Sequence, residues 1–375
     1  MNPEAVMESH PVENGDPAER GDTGGGTVTE VVLPGVVEPS GLEIRVRPAP
    51  RAAAGEVVLA LEASGVSFAE QQMRRGKYYD QPPFPFVPGY DMVGVVVRAG
   101  EGVDASLIGR RFAALTKVGG WAGLVALPVA GLVEVPGGLD PAEAETVVVN
   151  GITAWQMLHR VARVRAGQTV LVHGANGGVG STLVQLARHA GVRVIGTASP
   201  RHHEAVRALG ATPLDYRAAD LPGRVRELAP DGVDAVFDHV GGDGIVDSFG
   251  LLAKGGTLVS YGTAATRDVA GSSKLPVLLL IGRLLLWKLL PNGRRTHFYN
   301  IWAGKRRSAA FHERLRTDLG QVLALLADGA ITAQVAARVP LSRAAEAVRL
   351  AESGTVTGKV ILVPDPADGA APGPR

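Results

Sequence analysis

The chain of 375 residues contains no cysteine, which excludes disulfides, thiolate zinc sites, iron–sulfur clusters and a cysteine nucleophile. It also has little excess charge of either sign. Lys and Arg number 38 against 37 Asp and Glu, so bulk charge gives no reason to expect a nucleic-acid partner. Aromatic residues are sparse at 5%. No stretch reaches about 18 uncharged apolar residues, so no integral membrane span is expected; the nearest, Leu275 to Leu290, is broken by Pro276, Arg283 and Lys288. What is present is ample apolar side chain, 46% of the chain, enough for packed cores in the two domains that this length suggests.

Residues 1–27 carry six acids and one Arg20 among Gly, Pro, Asn and Ser, with no apolar run fit for a secretory signal. They read as a solvated tail, and residues 364–375 as a second low-complexity end. From Val28 to about Val135, short β-rich runs separated by Gly and Pro predict an antiparallel, barrel-like domain. From Gly167 to about Tyr261, apolar strands alternate with helical stretches, which demands crossovers and hence a parallel, doubly wound sheet. A strand at Phe298–Trp302, a helix from about Phe311 to Leu326, a strand at Val335–Pro340, a helix at Ser342–Glu352 and a strand at Lys359–Val363 are expected to follow. The last of these fit back onto the first domain. The division is therefore 28–150 with 303–363 for the barrel-like domain and 151–302 for the inserted parallel-sheet domain, between tails 1–27 and 364–375.

The segment His173-Gly174-Ala175-Asn176-Gly177-Gly178-Val179-Gly180 follows an apolar strand and opens a helix. Glycines at this place let a backbone approach a dinucleotide pyrophosphate, and the helix start offers unpaired N–H groups and a positive dipole end. The next strand ends in Thr197-Ala198-Ser199-Pro200-Arg201 without the acid that would bond ribose hydroxyls. Arg201 in its place favours a 2′-phosphate, and therefore NADPH.

These residues, together with Ser64-Gly65-Val66-Ser67-Phe68-Ala69-Glu70, Arg75-Gly76-Lys77-Tyr78, Pro88-Gly89-Tyr90-Asp91-Met92-Val93-Gly94, Asn150-Gly151-Ile152-Thr153-Ala154-Trp155, Phe237-Asp238-His239-Val240-Gly241-Gly242 and the closing Gly358-Lys359-Val360, give the chain its likeness. It resembles the medium-chain dehydrogenase/reductase superfamily, in its zinc-free quinone oxidoreductase branch, over about Val28 to Pro364. The resemblance implies an α/β chain with a GroES-like β-barrel domain and an inserted Rossmann domain. Alcohol dehydrogenases of the superfamily hold zinc with cysteines and a Gly-His-Glu motif; the matching place here reads Gly89-Tyr90-Asp91, and no metal site is expected. Without a Lewis acid, hydride reduction of a quinone or an activated C=C is the more plausible chemistry, because the substrate supplies its own electron sink.

The resemblance places Tyr78 where enoyl thioester reductases carry their proposed proton-donating tyrosine. Tyr78 and Ser67 are the candidate catalytic residues. Ser67, Glu70 and Gln72 stand where the branch often has Asn, Asp and an aromatic, which alters the pocket and leaves the substrate open. Cofactor contacts are assigned to Gly174, Ala175, Asn176, Gly177, Gly178, Val179, Gly180 and Arg201, to Asn150 and Thr153 on the nicotinamide side, and to Ser199, Tyr216 and His239 at strand ends. His173, inside a strand, reads as a core histidine. A cytoplasmic homodimer with a small apolar enone or quinone substrate is expected. A non-catalytic dinucleotide-binding protein serving membrane or partner association, and a tailoring enzyme on the same fold, are the alternatives.

From Lys274 to Arg307 eight basic residues and many leucines occur without one acid. On a helix, Arg283 and Lys288 lie about 140° apart and interrupt the apolar surface without giving it one broad polar face. The segment is expected to cover the substrate cleft or to pack between subunits.

Overall fold

The structure, a computed structural model, describes residues 26–266 and 274–366. Both expected tails lie almost wholly outside the described residues, although Thr27 already opens a strand.

The β-rich first part forms β1 (Thr27–Val32), β2 (Glu43–Pro48), β3 (Glu56–Val66), β4 (Asp91–Ala99), β5 (Arg111–Leu115), β6 (Leu124–Pro128) and β7 (Leu132–Glu134). β1 and β2 pair with each other. β3, apolar at most positions, is buried along nearly its whole length and carries β4 on one edge and β6 beside it, all antiparallel. β5 and β7 extend the sheet beyond β4.

The alternating part gives β8 (Thr169–Val172), β9 (Arg193–Ala198), β10 (Thr212–Asp215), β11 (Val233–Asp238), β12 (Leu252–Ser260) and β13 (Arg295–Phe298). They form one parallel sheet in the order β10-β9-β8-β11-β12-β13, the doubly wound order of a dinucleotide-binding domain. The chain then returns. β14 (Val335–Pro340) and β15 (Lys359–Val363) join the first sheet, β15 antiparallel to β3, so the parallel-sheet unit is inserted as expected.

A buried ion cluster fastens this return. Lys359 Nζ donates to Asp91 Oδ2 (2.6 Å) and Glu145 Oε1 (2.8 Å), with all three side chains almost fully enclosed. Burial first, then the neighbouring Asp91, raises the Glu145 carboxyl well above its ordinary range. A Cβ on Gly65 would sit 2.0 Å from Lys359 Cε, so the lysine occupies the space that only glycine leaves.

One expectation needs correction. The strand expected at Phe298–Trp302 is Arg295–Phe298 instead, because β12 ends at Ser260, opposite Phe298; Tyr299 N makes one more bond to the Ser260 carbonyl, and Asn300 Oδ1 then accepts from Trp302 N and turns the chain. The boundary drawn between 150 and 151 falls inside the helix Val149–Trp155. The acid-free segment forms a helix, Lys274–Lys288. Its Val277, Leu280 and Leu284 are buried, whereas Leu278, Leu279, Leu285, Leu286 and the following Leu289 are exposed, so only one of its faces covers the interior. No helix among the described residues is long and apolar enough to cross a membrane.

Candidate active site

In the parallel sheet the strand order reverses between β8 and β11, and the loops after these two strands diverge and leave a crevice. His173 N still bonds the Phe237 carbonyl (3.1 Å); beyond it Gly174, with φ +66°, turns the chain away. Ala175 N bonds the Thr197 carbonyl (2.9 Å), which holds the loop against β9. The helix Gly178–His189 then starts with Gly177 as its cap, without a side-chain hydrogen bond. Its first intrahelical bond runs from Ser181 N to Gly177 O (2.8 Å), so the N–H groups of Gly178, Val179 and Gly180 precede the helical ladder.

Three glycines here answer to different neighbours. A Cβ on Gly180 would lie 2.1 Å from the Gly174 carbonyl oxygen, one on Gly174 2.4 Å from His239 Cε1, and one on Gly178 2.5 Å from Asn150 Nδ2. At Gly177 a Cβ would meet only the Gly174 carbonyl oxygen, at 3.3 Å, and the residue borders the cavity. An uncapped helix start beside a glycine that faces a cavity fits the pyrophosphate of a dinucleotide.

The cavity itself measures about 450 Å³ and runs from this loop to the β-rich domain. Gly174 and Asn176 to Gly180 line it, with Asn150, Thr153 and His239 beside them, and Ser67 and Tyr78 at the far wall. Ala175 is fully buried behind the loop. Ser199, Arg201 and Tyr216 are not part of the wall: the Arg201 guanidinium donates to the Gly354 carbonyl, a residue that is in the wall, and Tyr216 is exposed with the Arg217 guanidinium over its ring. Asn150 Nδ2 donates to the Thr146 carbonyl (3.0 Å), which fixes the amide. His239 has its Nδ1 buried without a partner, and burial pulls its pKa down, so the ring is neutral. His173, bonded to Thr197 Oγ1 (3.2 Å) and Ser248 Oγ (3.1 Å), is a satisfied core histidine.

Ser67 caps the helix Phe68–Arg74. Its oxygen accepts from Ala69 N, its hydroxyl donates to Glu70 Oε2, and Glu70 returns a bond to the Ser67 N–H. That duty occupies the hydroxyl proton. The other Glu70 oxygen accepts from Tyr90 N (2.6 Å); burial raises this carboxyl above its ordinary value.

Tyr90, which stands where the zinc enzymes carry their histidine, meets a partner that the sequence reading did not identify. Trp302 Nε1 donates to Tyr90 Oη, and the Tyr90 and Tyr78 hydroxyls are 2.9 Å apart. Indole is a donor only, so Tyr90 accepts from Trp302 and has its own proton available for Tyr78. Burial, with Tyr90 close by, pushes the Tyr78 phenol far above its ordinary value and keeps it protonated. Trp302 lies 212 residues from Tyr90 in sequence, and no local pattern could have paired them. Among the described residues no group of three or more His, Asp or Glu is placed to hold a metal.

The fold and this crevice define a two-domain dinucleotide-type oxidoreductase architecture. Residues 53–137 match the family described as alcohol dehydrogenase GroES-like domain, and residues 209–362 match zinc-binding dehydrogenase. The human synaptic vesicle membrane protein VAT-1 homolog is 32% identical over 337 residues, which cover 87% of this chain and 84% of the relative. The quinone oxidoreductase from Thermus thermophilus, solved also in complex with NADPH, matches with a TM-score of 0.71 at 34% identity over 89% of this chain and 99% of its own. The human VAT-1 homolog-like protein gives a TM-score of 0.77 at 27% identity, covering 91% of this chain and 99% of its own. The chain belongs to the medium-chain dehydrogenase/reductase superfamily, in its zinc-free quinone oxidoreductase branch.

Proposed function

We propose that the protein is an NADPH-dependent, zinc-independent reductase that delivers hydride to a quinone or to the β-carbon of an α,β-unsaturated carbonyl. The observation that carries the reading is the presence, in one cavity, of an uncapped glycine-rich helix start and a buried, protonated tyrosine. NADPH, when bound, supplies the hydride. Gly177 to Gly180 receive its pyrophosphate, and Asn150 and Thr153 border the nicotinamide side. Arg201, just beyond the end of β9, takes the 2′-phosphate by exchanging its bond to the Gly354 carbonyl for a charge-assisted one. Ser199 and Tyr216 belong to the same adenosine side. On the opposite wall, Tyr90 directs its proton to Tyr78, leaving the Tyr78 proton for the substrate carbon that gains charge when hydride arrives.

The 28–150 and 303–363 unit thus brings the proton donor, and the 151–302 unit the cofactor loop. We read the enzyme as a cytoplasmic homodimer joined at the free edge of β13, the last strand of its sheet.

Consumption of NADPH by the purified protein, followed optically with cyclohexenone and with benzoquinone, tests the reading. Steady turnover with either is expected. Tight NADPH binding without turnover across such a panel would put a non-catalytic dinucleotide-binding protein in its place.

A further inference from the structure

Between Ser67 and Tyr78 the cavity wall holds a group that the chemistry above does not use. Gln72 lies in the helix Phe68–Arg74, is 5% exposed and borders the cavity, and its Nε2 is buried with no hydrogen-bond partner. The backbone around it is fixed, since its carbonyl accepts from Lys77 N (2.8 Å). An amide nitrogen brings two donors, and enclosing them unpaired carries the full desolvation cost of the group. Ser67 and Glu70 beside it bond each other, and Tyr78, paired with Tyr90, keeps its own proton for carbon. Gln72 is therefore a donor left for whatever enters the cavity, and the matching ligand atom is a pure acceptor, a carbonyl oxygen.

We propose that Gln72 Nε2 anchors the carbonyl oxygen of the substrate and stabilises the charge that this oxygen gains; this rests on the reductase reading above. Hydride attack forms a C–H bond at the β-carbon. The C=C π pair moves to the α-carbon and onto the carbonyl oxygen, giving an enolate. The Gln72 N–H bond strengthens as that oxygen gains charge. Tyr78 then protonates the α-carbon, re-forming C=O, and regains its proton from solvent. The net change is two electrons and one proton from NADPH with one proton from water. An enone thus needs two separate donors, one at oxygen and one at carbon, which this wall supplies. A quinone gains charge on oxygen alone, so it uses the first donor and not the second.

The test is Gln72→Met, which keeps the length of the side chain and removes its donors. Expected are a loss of about 100-fold in kcat/KM with cyclohexenone and unchanged NADPH affinity. In the unmutated protein with NADP+ bound, the carbonyl stretch of bound cyclohexanone should fall below its frequency in alkane solvent, a measurement that does not depend on the variant folding. An unchanged cyclohexenone rate in a folded Gln72→Met, or a stretch at the alkane value, overturns this inference and leaves the reductase reading intact. Failure of the unmutated protein to reduce either substrate removes both.

Discussion

Tyr78→Phe removes one hydroxyl and keeps the ring, whose edge-on packing against Tyr90 (6.3 Å between centroids, 84° between planes) does not depend on it. With an enone substrate kcat should fall by about 100- to 10,000-fold, the usual worth of a general acid, while NADPH affinity stays as it was; with benzoquinone the loss should be smaller. The pH dependence follows from the same burial. A donor acts in its protonated form, below its pKa, and burial raises that pKa, so the Tyr78 plateau extends through the alkaline range. A descending limb in kcat centred near pH ~10, the value of an unperturbed tyrosine, and absent from Tyr78→Phe would contradict this. Beyond the end of β9, Arg201→Ala should erase a preference for NADPH over NADH of about 10- to 150-fold, equivalent to a charge-assisted bond of about 1.5 to 3 kcal/mol. Equal kcat/KM for the two cofactors in the unmutated protein would remove Arg201 from the 2′-phosphate.

Within the loop that joins β8 to its helix, two nearby glycines should respond differently to the same methyl group. At Gly180 the added Cβ meets the backbone oxygen of Gly174 at 2.1 Å, which cannot yield without opening the turn. Gly180→Ala should lower stability by about 1 to 3 kcal/mol as well as weaken NADPH binding. At Gly177 the added Cβ meets the same oxygen at 3.3 Å, close but within reach of a small shift, and the residue borders the cavity, so Gly177→Ala should lower the melting temperature much less than Gly180→Ala and weaken NADPH binding by about tenfold or more, roughly 1.4 kcal/mol. Thermal melts with and without NADPH separate the two. This loop was legible in sequence because strand, glycines and helix are contiguous and each obeys a local rule. The strand Arg295–Phe298 begins and ends earlier than its own residues suggest, because its end is set by the end of β12, a partner some forty residues earlier in the chain. Trp302 escaped notice for the same reason: its role exists only where it meets Tyr90. Gln72 was visible as a departure from its branch, but its unpaired nitrogen is a property of the packed cavity.

For the whole molecule, period and punctuation sufficed to foresee an inserted parallel sheet, since alternating strands and helices admit few other arrangements. They could not say which face of the helix Lys274–Lys288 turns outward. At 100° per residue, Leu278, Leu279, Leu285, Leu286 and Leu289 share a face about 120° wide, with Arg283 and Lys288 at its two margins and the buried Val277, Leu280 and Leu284 opposite. The five leucines are 59–80% exposed, and an apolar stripe of that kind marks an interaction surface. The helix packs on β13, where Thr296 Oγ1 donates to the Leu284 carbonyl, so the stripe adjoins the free sheet edge assigned to the dimer. Sedimentation should accordingly report about twice 38.9 kDa. Leu279→Glu with Leu286→Glu should shift that mass toward one chain while NADPH affinity is kept, since neither side chain borders the cavity. A single-chain mass for the unmutated protein would rule the dimer out. Salt-sensitive binding to anionic vesicles, lost in Arg283→Glu with Lys288→Glu, would then give the stripe to a lipid surface, because the basic margins are placed to meet headgroup phosphates on either side of the leucines.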